Sequence, residues 1–158
     1  MKKPERTHVI TATSLVPAPP DRVYSILADY RDGHPKILPR QFSGMMVEQG
    51  GVGAGTVIRF KLRVLGRDQT FRAAITEPQP GRVLVETDLD ANGAVTTFTV
   101  EPGPTGEQSR ITITTELPVR SGFLGIIEGF LATRLLRPIY IRELALLASF
   151  VSISSNRS

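Results

Sequence analysis

The chain has no cysteine and no tryptophan, and only 6% of its residues are aromatic. Without cysteine there is no disulfide framework, no thiolate metal site and no cysteine nucleophile, and the composition fits a reducing compartment. Only two histidines, His8 and His34, occur. A zinc site would need several carboxylates beside them, so no metal and no other cofactor is expected. A long uncharged run is also missing. The greasiest stretch, Ser121 to Val151, is interrupted by Glu128, Arg134, Arg137, Arg142 and Glu143, leaving no window of about 20 apolar residues to span a bilayer. The N-terminal MKKPERTH carries lysines with no apolar segment behind them, which argues against a secretory signal. The expectation is a soluble, cytoplasmic protein.

What is present is ordinary globular material. With 158 residues, 41% hydrophobic and 22% charged, the chain reads as one domain over residues 1–158 with a substantial core. Its net charge is +4. Arg59, Lys61, Arg63, Arg67 and Arg72 cluster on two neighbouring strand candidates and alternate with apolar residues, as on a solvated outer sheet face. The alternative is a patch for RNA or anionic lipid. No aromatics interleave with these basics as single-strand stacking requires, so nucleic acid is not the favoured partner.

Hydrophobic periodicity gives the order of elements. Arg6–Leu15 sets His8, Ile10 and Ala12 against Val9, Thr11 and Thr13, a strand pattern ended by Val16-Pro17-Ala18-Pro19-Pro20. Val23, Ile26, Leu27 and Tyr30 recur at helical spacing, and at most one further helical turn fits between Gly33 and Pro39. Period two then takes over in Phe42–Gln49, Thr56–Leu65, Gln69–Glu77, Arg82–Asp88, Val95–Glu101 and Ser109–Leu117, with Ala91-Asn92-Gly93 as a hairpin signal and Pro118 as the end of the strands. The glycines of Gly50–Gly55 lead into a strand rather than a helix, so they read as hairpin geometry and not as a phosphate loop. Short connections imply an antiparallel meander with one apolar face.

The segment after Ser121 is the one helix long enough to cover that face. At about 100° per residue, Ile126, Gly129, Thr133, Leu136, Tyr140, Leu144, Leu147 and Val151 fall on one uncharged stripe. Pro138 is expected to kink the helix. A second stripe, Leu124, Leu131, Leu135, Ile139, Leu146 and Phe150, shares its side with Glu128 and Arg142. It is expected to pack on the short helices, with a homodimer or transient membrane contact as alternatives.

The order strand, short helices, six strands, long helix resembles the START-like, Bet v 1-type helix-grip superfamily (SRPBCC), and within it the polyketide cyclase/dehydrase and lipid-transport group. The matching residues are Pro17-Ala18-Pro19-Pro20-Asp21-Arg22-Val23-Tyr24, Ala28-Asp29-Tyr30, His34-Pro35 with Leu38-Pro39, Gly51-Val52-Gly53-Ala54-Gly55-Thr56, and Arg134-Leu135-Leu136-Arg137-Pro138. The resemblance implies an α+β helix-grip fold: a curved antiparallel sheet of about seven strands, two short helices, and a long C-terminal helix over the concave face. It also implies a cavity for a lipid, sterol, polyketide, quinone or similar molecule. The superfamily hosts carriers, sensors and enzymes, so the fold alone selects no activity.

The first function expected is therefore binding or transport of a small hydrophobic ligand, lined by Ile58, Phe60, Leu62, Phe71, Phe98, Leu136, Tyr140 and Leu144. The second is a polyketide cyclase/dehydratase-type enzyme, with His34 and Tyr140 as candidate catalytic groups and Thr87, Thr96 or Thr115 as polar contributors. The third is a ribosome- or membrane-associating protein. Glu86, Asp88 and Asp90 read as a strand end and turn, and no Gly-x-Ser-x-Gly elbow exists. An ionisable pair inside the cavity points to the enzyme; an all-apolar lining points to the carrier.

Overall fold

The computed structural model describes residues 6–90 and 93–156. Seven antiparallel strands form one curved sheet: β1 (Arg6–Val16), β2 (Phe42–Gln49), β3 (Val57–Val64), β4 (Arg67–Gln79), β5 (Val83–Asp88), β6 (Val95–Pro102) and β7 (Ser109–Val119). Their spatial order is β1-β7-β6-β5-β4-β3-β2. Successive hairpins build β2 through β7, and β1 pairs along its full length with β7, from Arg6 opposite Val119 to Val16 opposite Ser109. The chain therefore crosses from one sheet edge to the other between β1 and β2. Helix α1 (Pro20–Ala28) and a single 3₁₀ turn (His34–Ile37) make that crossing. Ala91 and Asn92, the first two residues of the expected hairpin signal, lie outside the described residues.

One boundary differs from the sequence reading. β7 runs through Pro118, which sits opposite Thr7. β6 begins pairing only at Val95 with Glu116, so at Pro118 one side of the chain carries no ladder to lack a donor. The long helix α2 (Phe123–Ser155) continues unbroken past Pro138. The Gly50–Gly55 segment is indeed loop geometry: Tyr30 N donates to Gly51 O and Gly53 N to Ala28 O, tying the β2–β3 loop to the end of α1.

Alternation decides which side chains enter the core. Ile10 and Ala12 of β1, Leu84 of β5, Val100 of β6 and Ile111 of β7 pack with Val23 and Leu27 of α1 and with Leu147 and Val151 of α2. The helix does not lie centrally. It packs on β1, β7 and the 3₁₀ turn, while α1 packs on β6. Gly129 allows the close approach to β1, because a Cβ there would stand 2.5 Å from His8 Nδ1. On the far side, the inner faces of β2, β3 and β4 have no helix pressed onto them. That half of the concave face stays unfilled.

The uncharged stripe needs two corrections. Ile126 is exposed, because the first turns of α2 extend beyond the filled core. Glu143 is buried, because it stands three residues after Tyr140 and four before Leu147, on the inward face. Ile139, assigned to the second stripe, is buried as well.

Candidate functional site

The unfilled half of the concave face is a cavity of about 420 Å³, a volume ordinary for a small-molecule site. Of the residues expected in its wall, Ile58, Phe60 and Leu62 of β3, Phe71 of β4, Phe98 of β6, and Leu136 and Tyr140 of α2 all border it. Leu144 does not: one turn past Tyr140 the helix rests on the filled core, and Leu144 is packed there. Along one wall Phe60 stacks on Phe71 with ring centroids 5.5 Å apart, and Phe42 is tilted against Phe60 at 5.7 Å.

Burial grades along the cavity. At one end Ile58, Ile113, Phe98, His34 and Glu143 are buried; at the other, Gln69 and Pro118 are exposed to solvent. The closed end is where the polar groups collect. His34 Nδ1 lies 2.7 Å from the Leu27 carbonyl, which can only accept, so Nδ1 donates. In the neutral ring the lone pair is then on Nε2, which faces two carboxyl groups: Glu143 Oε1 at 3.6 Å and Glu86 Oε1 at 3.9 Å. The imidazole is clamped by Tyr30 stacked on it at 4.6 Å and by the edge of Phe98 at 5.4 Å. Tyr30 donates its hydroxyl to Glu86 Oε1 at 2.7 Å. The structure thus gives His34 both a loop-holding bond and a second ring nitrogen turned toward the two carboxyl groups in the cavity wall.

Glu143 is the unusual member. Its residue exposure is 3%, and Oε1 is buried with no hydrogen-bond partner among the described residues. Burial, reinforced by the neighbouring Glu86 charge, raises its pKa well above the ordinary carboxylate value. It therefore tends to carry a proton where surface glutamates have lost theirs. One turn back on the same helix face, Tyr140 Oη lies 2.6 Å from Thr115 Oγ1, and Thr115 Oγ1 lies 2.8 Å from Thr96 Oγ1. Burial pushes the Tyr140 phenol up to about 12, so it stays neutral and able to donate. Thr96 and Thr115 border the cavity as the alternation in β6 and β7 suggests.

Glu86 and Glu143 were not picked out by sequence. Glu86 sits inside β5 opposite Thr96 rather than at a turn, and Asp88 also borders the cavity, its Oδ2 buried and without a partner among the described residues. Among the described residues no three His, Asp or Glu side chains are grouped so as to hold a metal ion, and no helix is long and apolar enough to cross a membrane. Three of the five residues of the basic cluster are ion-paired: Arg59 and Arg72 both pair with Glu48, and Arg63 pairs with Asp68.

The sequence matches the family described as polyketide cyclase / dehydrase and lipid transport over residues 7–151. No curated protein matches it. Among solved structures it is similar to a KanY protein determined by NMR, at 29% identity and a TM-score of 0.76, covering 96% of this chain and 99% of that one. It is also similar to the Zhui aromatase/cyclase from Streptomyces sp. R1128 (19% identity, TM-score 0.76, 93% and 94% covered). A START superfamily protein from Mycobacterium smegmatis matches at 17% identity and a TM-score of 0.71, with 92% and 97% covered. The last two likenesses are of fold alone.

Proposed function

Because the chain belongs to the polyketide cyclase / dehydrase and lipid transport family, we propose that it acts as one ligand-holding domain that takes a small, largely apolar carbonyl compound. On that compound it performs proton-transfer chemistry of the aldol-closure and dehydration kind. The observation that carries this reading is the buried Glu143 carboxyl beside His34 Nε2 at the closed end of an apolar cavity. A container for a wholly apolar guest gains nothing from an unpartnered acid in its floor, which costs stability.

The roles follow from position. The aromatic wall of Phe42, Phe60 and Phe71 excludes water and holds the apolar body of the ligand. His34 Nε2 accepts a proton from the carbon next to a carbonyl. The Tyr140 hydroxyl donates a hydrogen bond to that carbonyl oxygen as it gains charge, with Thr115 and Thr96 behind it. The resulting enol carbon bonds to a second carbonyl carbon of the same molecule, whose oxygen takes the Glu143 proton to become a hydroxyl. Dehydration then needs the same two groups: a base removes the adjacent carbon-bound proton, and an acid protonates the departing hydroxyl, which leaves as water. The tuned pair, one acid kept protonated and one base, is the arrangement such steps require.

The mostly hydrocarbon wall favours the second reading, a carrier for a lipid, polyketide or quinone. The cytoplasmic setting rests on composition alone. Deuterium exchange separates the two readings. In D₂O the wild type should speed exchange of the central protons of an apolar β-diketone, and His34→Ala and Glu143→Gln should return it to the buffer rate. Equal rates for all three, with the diketone still bound, leave the carrier.

A further inference from the structure

The chemistry assigned to the cavity uses His34, Glu143 and Tyr140 and leaves one carboxyl of the wall without a task. Asp88 ends β5, and the sheet register sets it opposite Ala73 of β4. Its backbone N–H donates to the Ala94 carbonyl at 2.9 Å, which brings Ala94 alongside on the other flank. All three residues border the cavity. Asp88 stands two residues from Glu86 on the same strand face, roughly 7 Å along the strand. That step leads toward the mouth, since Phe71 and then the exposed Gln69 follow Ala73 in the wall formed by β4.

One oxygen of Asp88 has a local duty. Oδ1 accepts from Asp90 N at 3.1 Å, closing the turn after β5, and asparagine performs that duty as well. Oδ2 is buried and has no hydrogen-bond partner among the described residues. A carboxyl oxygen taken from water and left unmatched costs stability, unless a ligand supplies the donor. Glu143 Oε1, in a residue only 3% exposed, is a second acceptor left in the same state in the same cavity.

The charge balance identifies the donor. Among the described residues no lysine borders the cavity and Arg72 is its one arginine. That guanidinium is held by Glu48 at 2.7 Å. The Asp88 and Glu86 carboxyls therefore share an apolar enclosure with no lysine or arginine turned to them. A ligand hydroxyl would satisfy Oδ2 and leave the negative potential, and a ligand carboxylate or phosphate would add to it. An ammonium brings the donor and the missing charge together. We propose that the ligand's apolar body carries a protonated amino group, and that Asp88 is the residue that selects for it. The amine seats between Ala73 and Ala94, one strand repeat nearer the mouth than Glu86. The carbonyl half of this amino ketone rests on the reaction proposed above; the amino half rests on Asp88.

Three aryl β-diketones, alike except for the para substituent, test this. One carries dimethylaminomethyl, cationic at neutral pH; the second carries isobutyl, its neutral isostere; the third carries hydroxymethyl. Calorimetric titration of the full chain should show the cationic probe binding about tenfold more tightly than the isobutyl probe, as a charge-assisted hydrogen bond provides. In Asp88→Asn, where Asp90 N keeps an acceptor, that preference should vanish. If the variant does not fold, carbon-13 NMR of the wild type decides. Its Asp88 carboxyl resonance should move with the cationic probe and hold still with the isobutyl one. A wild type that binds the isobutyl probe as tightly overturns the proposal, as does tightest binding of the hydroxymethyl probe. A preference that survives Asp88→Asn, or an Asp88 resonance indifferent to the cation, does the same. Deuterium exchange is read separately. Exchange of the isobutyl probe without a cation preference removes the amino group and leaves the cavity chemistry, and a preference without exchange does the reverse.

Discussion

The two halves of α2 are similarly apolar and meet opposite fates. Beyond Pro138, Ile139, Tyr140, Leu144, Leu147 and Val151 are buried against β1, β7 and α1. Before it, Phe123, Leu124, Ile126, Ile127, Phe130 and Leu131 are exposed. The difference lies in what each half overlies. The C-terminal half rests on the region where α1 backs the sheet, so its inward apolar side chains find partners. The N-terminal half runs past the filled core along the cavity mouth. One helix thus serves as core at one end and as an exposed apolar lip at the other, and the acid–base groups stand where the two regimes meet.

The largest effect expected from breaking this contrast is in the packed half. Leu147→Ala should lose about 2–5 kcal/mol of stability through the cavity it leaves, whereas Phe130→Ala should change stability by less than about 0.5 kcal/mol. Urea unfolding of the two variants checks the pair, and similar losses would mean the lip is packed after all. Next is the junction. Glu143 has a folded-state pKa raised by burial, so its contribution is fully present below the unfolded-state value. It is lost as pH rises toward the folded value, because the unfolded chain gives up the proton first. Glu143→Gln removes that slope. The variant should match the wild type in acid and exceed it at alkaline pH by roughly 1–3 kcal/mol, the cost of an unsatisfied buried group. Thermal unfolding across pH reads this directly.

Smaller effects sharpen the picture. Tyr140→Phe deletes one hydrogen bond, to Thr115, which keeps its bond to Thr96. A loss of about 1 kcal/mol is expected, with a larger proportional loss in diketone exchange than in diketone binding. Leu65→Asn should be neutral or gain about 1 kcal/mol by relieving the left-handed leucine of the β3–β4 turn, whose φ is 52°, measured as a rise in the urea midpoint.

The strands were legible because β-branched and apolar residues alternate cleanly in Arg6–Val16 and Val57–Val64, and a one-residue slip would expose a whole face. The wall residues Ile58, Phe60, Leu62 and Phe98 follow from the same alternation. The polar floor was not legible, for a physical reason. Charged residues in an apolar helix read as its solvent side, yet a 3- or 4-residue spacing to Tyr140 and Leu147 puts Glu143 on the inward face, a signal the sequence does contain. Glu86 shares a face with Leu84 and alternates with Val85, in a short strand with apolar residues on both faces, so its inward face cannot be assigned before the cavity is known. His34 meets Glu143 only because the crossing from β1 to β2 folds beneath α2, a contact over more than 100 residues of chain that no local pattern encodes.

The central claim is a protonated carboxylic acid held beside a histidine at the closed end of an apolar cavity. Carbon-13 NMR titration of the glutamate side-chain carboxyls, with Glu143 assigned by its glutamine variant, measures it most directly. The Glu143 resonance should hold its protonated shift well past the pH at which the surface glutamates have ionised, and it should move when the diketone is added. A Glu143 that titrates alongside the surface glutamates and ignores the ligand would contradict the account.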